Sequence, residues 1–242
     1  MREIVYSPSN LKVYRDCPYK FYQQYIQKTI PFEQSPAAAR GEKLHSLMEA
    51  AVKHGWNSIQ WPEVENLQHA KGFIEAVDRL KASGWSVQAE LQAATDGLGN
   101  VTDWWDKPPQ NFIRSKVDVC ATHPDHDHGI IIDWKTGKPW DDELQLQVNA
   151  WCLYPTTRLK KYQVMFAYLD SGVVRNYEVE LDILCPKTTE PPEKIGQSKL
   201  YNLLELLDRL TVSRNTDTWE ATKNKFCNWC PVDCPKGHNK QR

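Results

Sequence analysis

The sequence has 242 residues, of which 40% are hydrophobic and 25% are charged, and its formal net charge is -1. This composition fits one well-buried globular domain, and its charge balance excludes a uniformly basic protein, so any nucleic acid must be bound by a local patch. No stretch approaches the roughly 18–20 apolar residues that a membrane span needs. The N-terminus also lacks the pattern of a signal peptide, so we expect a soluble, cytoplasmic protein without a membrane partner.

The first 84 residues are predicted to be helical. Ser9 and Ser35 are suitable N-caps, Pro36 suits a first helical turn, and Gly84 suits a helix end. The predicted helices are 9–27, 35–55 and 62–83.

Residues 85–184 are predicted to form a sheet that contains one helix. The predicted strands are 85–93, 111–122, 130–134, 162–170 and 173–181, and the helix is 141–153. The segment HPDHDHG, residues 123–129, invites a metal-site interpretation, but Pro, Asp and Gly favour a simple turn between the second and third strands. A further helix at 193–210 leads into a cysteine-containing tail that ends at residue 242. This order of elements predicts an α/β or α+β fold with a helical N-terminal part.

One buried strand ends in charged residues. In IIIDWKTGK, Asp133 and Lys135 are two residues apart and therefore share a face of the strand, with Trp134 on the other face. An isolated D-x-K is most often a salt bridge, but Asp118 interrupts the preceding strand. If the two strands form a hairpin, Asp118 and Asp133 can face each other, and two close carboxylates stay ionised when a cation lies between them. Oxygen ligands favour Mg²⁺ or Mn²⁺, and a neighbouring lysine suits phosphodiester hydrolysis.

An acid followed by a strand and D-x-K resembles the PD-(D/E)XK nuclease superfamily, although Val117 replaces the proline of that name. Gly41 and His45 match the G-x-x-x-H motif of its RecB/AddB type, which includes the CRISPR-associated exonucleases. Gln145 matches the glutamine of the Q-x-x-x-Y motif, whose two residues lie one helical turn apart, and Asn149 replaces the tyrosine. A second register of this motif would use Gln147 and Trp151.

The resemblance implies a single RecB-like domain with a restriction-endonuclease-like core, in which a mixed central sheet is flanked by helices. It implies that Mg²⁺ or Mn²⁺ is bound by His45, Asp118, Asp133 and the backbone carbonyl of Trp134. Lys135 would position or activate water, and Gln145 would steady Lys135 or the DNA. Glu90, in the preceding strand, is a further candidate for this site.

The cysteines indicate a second metal site. An odd total of seven argues against a disulfide framework, and Cys227, Cys230 and Cys234 are closely spaced in the tail. Zinc bound by these three and His238 is one interpretation. The resemblance implies the other, a structural [4Fe-4S] cluster in which Cys17 supplies the fourth ligand and ties the N-terminal helix to the C-terminal tail. The remaining cysteines, predicted to be ordinary thiols, are Cys120, Cys152 and Cys185.

The function implied by the resemblance is a metal-dependent DNA exonuclease that acts on single strands or DNA ends in recombination, repair, CRISPR or phage DNA metabolism. A helicase, a recombinase or a second copy of the chain are possible partners. A DNA-binding or assembly subunit that has lost catalysis is the alternative, and Asn149 favours it. Base stacking and core packing are equally favoured for three tryptophans in loops near the proposed site, Trp104, Trp105 and Trp140. Candidates for phosphate contacts are Lys12, Lys20, Lys28, Lys135 and Lys138.

Overall fold

The structure is a computed structural model, and it describes residues 3–31, 34–61, 67–139, 142–181 and 200–237. The helices are α1 (Pro8–Asp16), α2 (Pro18–Phe21), α3 (Pro36–His54), α4 (Leu67–Ala82), α5 (Glu143–Thr157) and α6 (Leu200–Thr216). The strands are β1 (Ser86–Thr95), β2 (Ile113–Thr122), β3 (His128–Lys135), β4 (Lys161–Tyr168) and β5 (Val174–Glu180). No helix in these ranges is long and apolar enough to span a membrane.

The five strands form one mixed sheet in the order β1-β2-β3-β4-β5. Neighbouring strands are antiparallel except β3 and β4, which are parallel because α5 carries the chain back across the sheet between them. Helices cover both faces, with α1, α2, α5 and α6 on one apolar core and α3 and α4 on the other. The predicted mixed sheet flanked by helices is confirmed, and so is the β2–β3 hairpin.

The prediction of one continuous helix at 9–27 is wrong, because the structure has α1, α2 and a π-helical turn in this range. Ser7, not Ser9, is the N-cap of α1, and its hydroxyl accepts a hydrogen bond from the backbone of Asn10. Cys17 then interrupts the helix with an extended backbone, because it precedes Pro18 and the proline ring disfavours helical geometry for the residue before it. After α2 the chain makes a π-helical turn at Tyr22–Ile26.

The other boundaries differ from the predictions by shorter lengths. Ser35 caps α3 as predicted, and its hydroxyl accepts a hydrogen bond from the Ala38 backbone. Helix α5 continues past the predicted end at 153, with Pro155 in its last turn. Helix α6 extends beyond the predicted end at 210. The predicted starts of α4 and α6, at 62–66 and 193–199, lie outside the described residues.

The two ends of the described chain pack against each other. Trp219, which follows α6, stacks on Tyr22 with ring centroids 5.2 Å apart. The backbone N–H of Tyr19 donates to the Glu220 carbonyl at 3.1 Å, and the Asn224 side chain donates to the Asp16 carbonyl at 2.8 Å. These contacts hold the cysteine-containing tail beside the α1–α2 break.

Gly172 is required by the packing of the β4–β5 hairpin. Its φ is +69°, and an added Cβ would overlap the ring of His69 on α4. We predict that Gly172→Ala lowers the free energy of unfolding by about 2 kcal/mol, through backbone strain and the displacement of the exposed His69 ring. In a His69→Ala background the loss should fall to about 1 kcal/mol, because only the backbone strain remains. Urea denaturation measures both, and an equal loss in the two backgrounds would contradict the packing argument.

Candidate active site

The alternation of side chains between the two faces of the sheet is interrupted in β1 at Glu90 and in β2 at Asp118. Side chains two residues apart on a strand normally share a face, yet Val117 packs in the core beneath α5 whereas Val119 packs in the core beneath α3. Leu91 and Ala89, their partners on β1, divide between the two cores in the same way. The reversal therefore falls where Glu90 and Asp118 lie opposite each other.

Three side chains that could hold a metal ion lie together at this reversal. The ligand atoms of His45, Glu90 and Asp118 all lie within 4.8 Å of one another, and no other group of three His, Cys, Asp or Glu residues in the described ranges meets this limit. His45 Nδ1 is 3.2 Å from Asp118 Oδ1, and the Trp134 backbone N–H donates to Asp118 Oδ2 at 2.7 Å. One imidazole and two carboxylates fit a hard divalent cation such as Mg²⁺ or Mn²⁺.

Gly41 and His45 lie one turn apart on the same face of α3. A Cβ at Gly41 would lie 3.3 Å from the Thr136 hydroxyl, so Gly41 is in close contact with the residue that follows β3. The G-x-x-x-H spacing therefore places the glycine against the end of β3 and the histidine beside Asp118.

Glu90 was only weakly indicated by the sequence. Its φ is +55°, which is rare for a residue with a side chain, and the carboxylate is in contact with Lys116 Nζ. Such strained backbone is common at functional sites because the surrounding structure can hold it. The available sequence signal was a glutamate opposite Asp118 in the β1–β2 ladder, and reading it required the strand register.

Asp133 and Lys135, at the end of β3, both contact Gln145 on α5. Lys135 Nζ lies 2.5 Å from Asp133 Oδ2 and donates to Gln145 Oε1 at 2.8 Å. The Gln145 amide nitrogen donates to Asp133 Oδ1, so one glutamine holds both members of the pair. Lys135 also lies 5.0 Å from the centre of the Phe166 ring. Trp134, predicted to offer its carbonyl to a metal, contacts Asp118 through its N–H.

The surroundings of Asp133 and of His45 raise the pKa of each side chain. Burial raises the pKa of Asp133 to about 6, Lys135 opposes this rise, and the Asp118 carboxylate adds to it. Burial lowers the pKa of His45, but the hydrogen bond and charge of Asp118 outweigh it, so the pKa of His45 is above its usual value. Because the two aspartates repel, a divalent cation beside them would favour their ionised forms.

The loop after β3 is held by an ion pair. Arg40 Nη2 donates to Asp170 Oδ1 at 2.5 Å, and Arg40 Nη1 donates to Asp170 Oδ2 at 3.1 Å. The Gly137 N–H also donates to Asp170 Oδ2, at 2.5 Å. Arg40 is on α3 and Asp170 follows β4. The two therefore connect the helix that carries His45 to the segment that follows Lys135.

The two possible registers of the glutamine motif differ in their contacts. Gln145 contacts Asp133 and Lys135, whereas buried Gln147 accepts a hydrogen bond from the backbone of Leu203 and so supports α6. Asn149, at the position of the family's tyrosine, is fully buried and accepts a hydrogen bond from the Ser115 hydroxyl at 2.5 Å. Its side chain therefore contributes to the core between α5 and β2.

The four cysteines of the predicted cluster line one pocket, between the α1–α2 break and the C-terminal tail. None of the six cysteines in the described ranges forms a disulfide. No three of their sulfur atoms lie within 4.8 Å of one another. The pocket wall also includes Val13, Tyr19, Phe226 and Val232. His238 lies outside the described residues.

The histidines of the 123–129 segment and the described cysteines outside the predicted cluster pack against neighbouring side chains or in the core. The predicted turn between β2 and β3 is present but covers only 123–127, because His128 and Gly129 already belong to β3. The ring centres of His123, His126 and His128 lie 4.8 to 5.7 Å from that of Trp85. Cys120 and Cys152 are buried, and burial raises the pKa of both thiols, that of Cys120 to about 12. Trp140 and Cys185 lie outside the described residues.

Comparison with known proteins agrees with this geometry. The family model of the PD-(D/E)XK nuclease superfamily matches residues 5–234. The protein therefore belongs to the PD-(D/E)XK nuclease superfamily, whose members are metal-dependent nucleases, and its fold is the restriction-endonuclease-like α/β fold. A solved structure entitled "Crystal structure of SSO0001" is 15% identical and has a TM-score of 0.51, covering 98% of this chain and 88% of the other, which shows similarity of fold. No curated protein matches the sequence.

The Arg40–Asp170 pair predicts an acid-sensitive part of the stability. Its hydrogen bond is the main cause that lowers the pKa of Asp170. The stabilisation is present above the unfolded-state pKa and is lost as the pH falls through the folded-state pKa. We predict that Asp170→Asn lowers the free energy of unfolding by about 1 kcal/mol at neutral pH, and by less in acid.

Urea denaturation at neutral pH and near pH 3 measures this effect. Asp125→Asn, the same change at an exposed carboxylate, is the matched control and should alter neither value. A loss for Asp170→Asn that is equal at both pH values would contradict the ion-pair argument.

Proposed function

We propose that the protein is a RecB-like, metal-dependent deoxyribonuclease that works as an exonuclease on single-stranded DNA or DNA ends. The observation that carries the proposal is the juxtaposition of the His45–Glu90–Asp118 group and the Asp133–Lys135 pair. Membership of the nuclease superfamily supports hydrolysis of phosphodiester bonds. The cytoplasm is the proposed location.

The proposed metal ligands are His45, Glu90 and Asp118, with Asp133 and the Trp134 carbonyl completing the site. When bound, Mg²⁺ or Mn²⁺ supplies Lewis-acid polarisation of the phosphoryl group and of the attacking water. The three clustered donors and the repulsion between Asp118 and Asp133 support this assignment, because a buried pair of carboxylates needs a compensating positive charge.

Lys135 is the proposed group that orients the attacking water and offsets charge on the phosphoryl transition state. Its ammonium is fixed by Asp133 and by the Gln145 oxygen, so it does not have to be ordered when substrate arrives. Gln145 is a positioning residue in this account. Its amide group bridges the carboxylate and the ammonium of the D-x-K motif.

The proposed second cofactor is a structural [4Fe-4S] cluster ligated by Cys17, Cys227, Cys230 and Cys234. The shared pocket of these four residues supports it, together with the packing of the tail on the α1–α2 break. Zinc bound by Cys227, Cys230, Cys234 and His238 is the alternative, in which one ion would hold all four ligands. In the proposed cluster each thiolate would bind a different iron atom.

A catalytically inactive DNA-binding or assembly subunit is the second candidate. The observation in its favour is Asn149, which replaces the family's tyrosine and is buried against Ser115. The retention of His45, Asp118 and the D-x-K pair argues for the enzyme.

The nuclease proposal predicts metal-dependent digestion of linear DNA. Lys135→Ala and Asp133→Ala should each lower the rate at least about a hundredfold, because transition-state charge stabilisation is lost. The measurement uses anaerobically purified protein, end-labelled single- and double-stranded DNA, and Mg²⁺ or Mn²⁺. The order in which labelled products appear gives the direction of digestion.

Lys161→Ala is the matched control, since Lys161 also forms an ion pair with a carboxylate but lies at the opposite end of the parallel ladder from Lys135. It should digest DNA like the wild type. A wild-type protein that binds DNA and cuts it with neither metal would instead support the binding subunit.

The cluster proposal predicts a brown protein that absorbs near 400 nm and contains about four iron and four sulfide per chain. Cys17→Ser should reduce the iron content, whereas Cys152→Ser should not, because Cys152 is buried in the sheet core. Iron, sulfide and zinc analyses distinguish the alternatives. Colourless protein with one zinc that is unaffected by Cys17→Ser would contradict the cluster.

A further inference from the structure

A second polar pocket opens directly beside the active site. It has a volume of about 420 Å³ and lies between the start of α1, the loop before β2 and the start of α5. Pockets of about 300–1,000 Å³ hold small ligands, so one nucleotide unit fits whereas a duplex does not. The side chains that carry the argument are Lys12, Trp104, Arg114, Lys116, Asp142 and Gln145.

The charges that line this pocket favour an anion. Lys12, Arg114 and Lys116 contribute three positive charges, and Asp142 contributes one negative charge. Lys12 is 2.9 Å from Asp142, and Lys116 contacts Glu90. Arg114 forms no ion pair with any described residue, so its charge remains available to an incoming phosphate.

Arg114 and Trp104 form a preorganised unit. The guanidinium carbon of Arg114 lies 4.7 Å from the centre of the Trp104 ring, and Arg114 Nη1 donates to the Trp104 carbonyl at 3.0 Å. A guanidinium has five donors, so this hydrogen bond leaves others for a phosphate. A half-buried indole beside it offers a surface on which an unpaired base can stack.

The pocket is connected to the reacting centre by two side chains. Gln145 lines the pocket and contacts both Asp133 and Lys135. Lys116 lines it and contacts Glu90, a member of the clustered donor group. A nucleotide in the pocket is therefore one side chain away from the proposed site of hydrolysis.

We propose that this pocket binds the nucleotide next to the scissile phosphodiester of a single DNA strand, with its phosphate at Arg114 and its base against Trp104. The inference rests on the proposed nuclease function for the identity of the strand, and it deepens that function by requiring an unpaired nucleotide. Base stacking on one aromatic ring and one phosphate contact to one arginine are its two separable components.

Binding tests both components without cleavage. In a Lys135→Ala background, fluorescence anisotropy measures the Kd of a labelled single-stranded oligonucleotide and of a blunt duplex. Trp104→Ala should weaken single-strand binding about tenfold, and the duplex less than twofold. Arg114→Ala should weaken single-strand binding and also lower the salt dependence of log Kd by about 0.7, whereas Arg114→Lys should keep the wild-type salt dependence.

Matched controls separate these effects from general ones. Trp105→Ala removes the neighbouring, 76% exposed tryptophan that does not line the pocket. Arg79→Ala removes an exposed arginine from the last turn of α4. Both should bind like the parent, and thermal unfolding of each variant identifies any that fails to fold.

The proposal for this pocket and the proposal of nuclease activity can be contradicted separately. Unchanged single-strand Kd in folded Trp104→Ala and Arg114→Ala proteins, or an equal loss on single strand and duplex, would overturn the pocket even if the wild type cuts DNA. The expected losses in a protein that cuts nothing would keep the pocket and overturn the nuclease.

Discussion

The candidate site depends on the ion pair between Asp133 and Lys135 at the end of β3. Asp133 is 3% exposed, and a buried carboxylate is costly unless charges and hydrogen bonds compensate for it. Lys135 supplies the charge and Gln145 supplies the hydrogen bond. Since Gln145 is on α5, the helix that returns the chain from β3 to β4, the parallel crossover and the site depend on the same packing. Removing one partner would leave a buried charge, so these three residues act as a unit.

The reversal of β1 and β2 provides the second requirement. Val117 and Val119 pack in different cores although they are two residues apart, and Asp118 between them lies close to Glu90 and to His45 on α3. The left-handed backbone of Glu90 is conformationally strained. Packing of β1 and β2 against the two apolar cores stabilises the fold enough to offset this strain. The clustered donors thus lie at the boundary between the two cores.

The sequence predicted those features that follow from local rules. Alternation along β3 predicted that Asp133 and Lys135 share a face, and their contact agrees. Ser35 and Pro36 predicted the start of α3. The aromatic pattern of 9–27 predicted one continuous helix, but the effect of Pro18 on the preceding residue breaks it at Cys17. Glu90 could not be ranked from sequence because its position depends on strand register, which is a tertiary property. The contact between Trp104 and Arg114 likewise depends on a loop path that no periodicity specifies.

The central claim is that His45, Glu90 and Asp118 form a site for one divalent ion that hydrolysis requires. The most direct measurement is calorimetric titration of Mn²⁺ into metal-free wild type and Glu90→Gln, with DNA digestion followed in the same preparations. The account predicts that the wild type binds Mn²⁺ and cuts DNA, and that Glu90→Gln, which keeps the size of the side chain but loses its charge, binds Mn²⁺ more weakly and cuts more slowly. A folded Glu90→Gln protein that binds Mn²⁺ and cuts DNA like the wild type would contradict it.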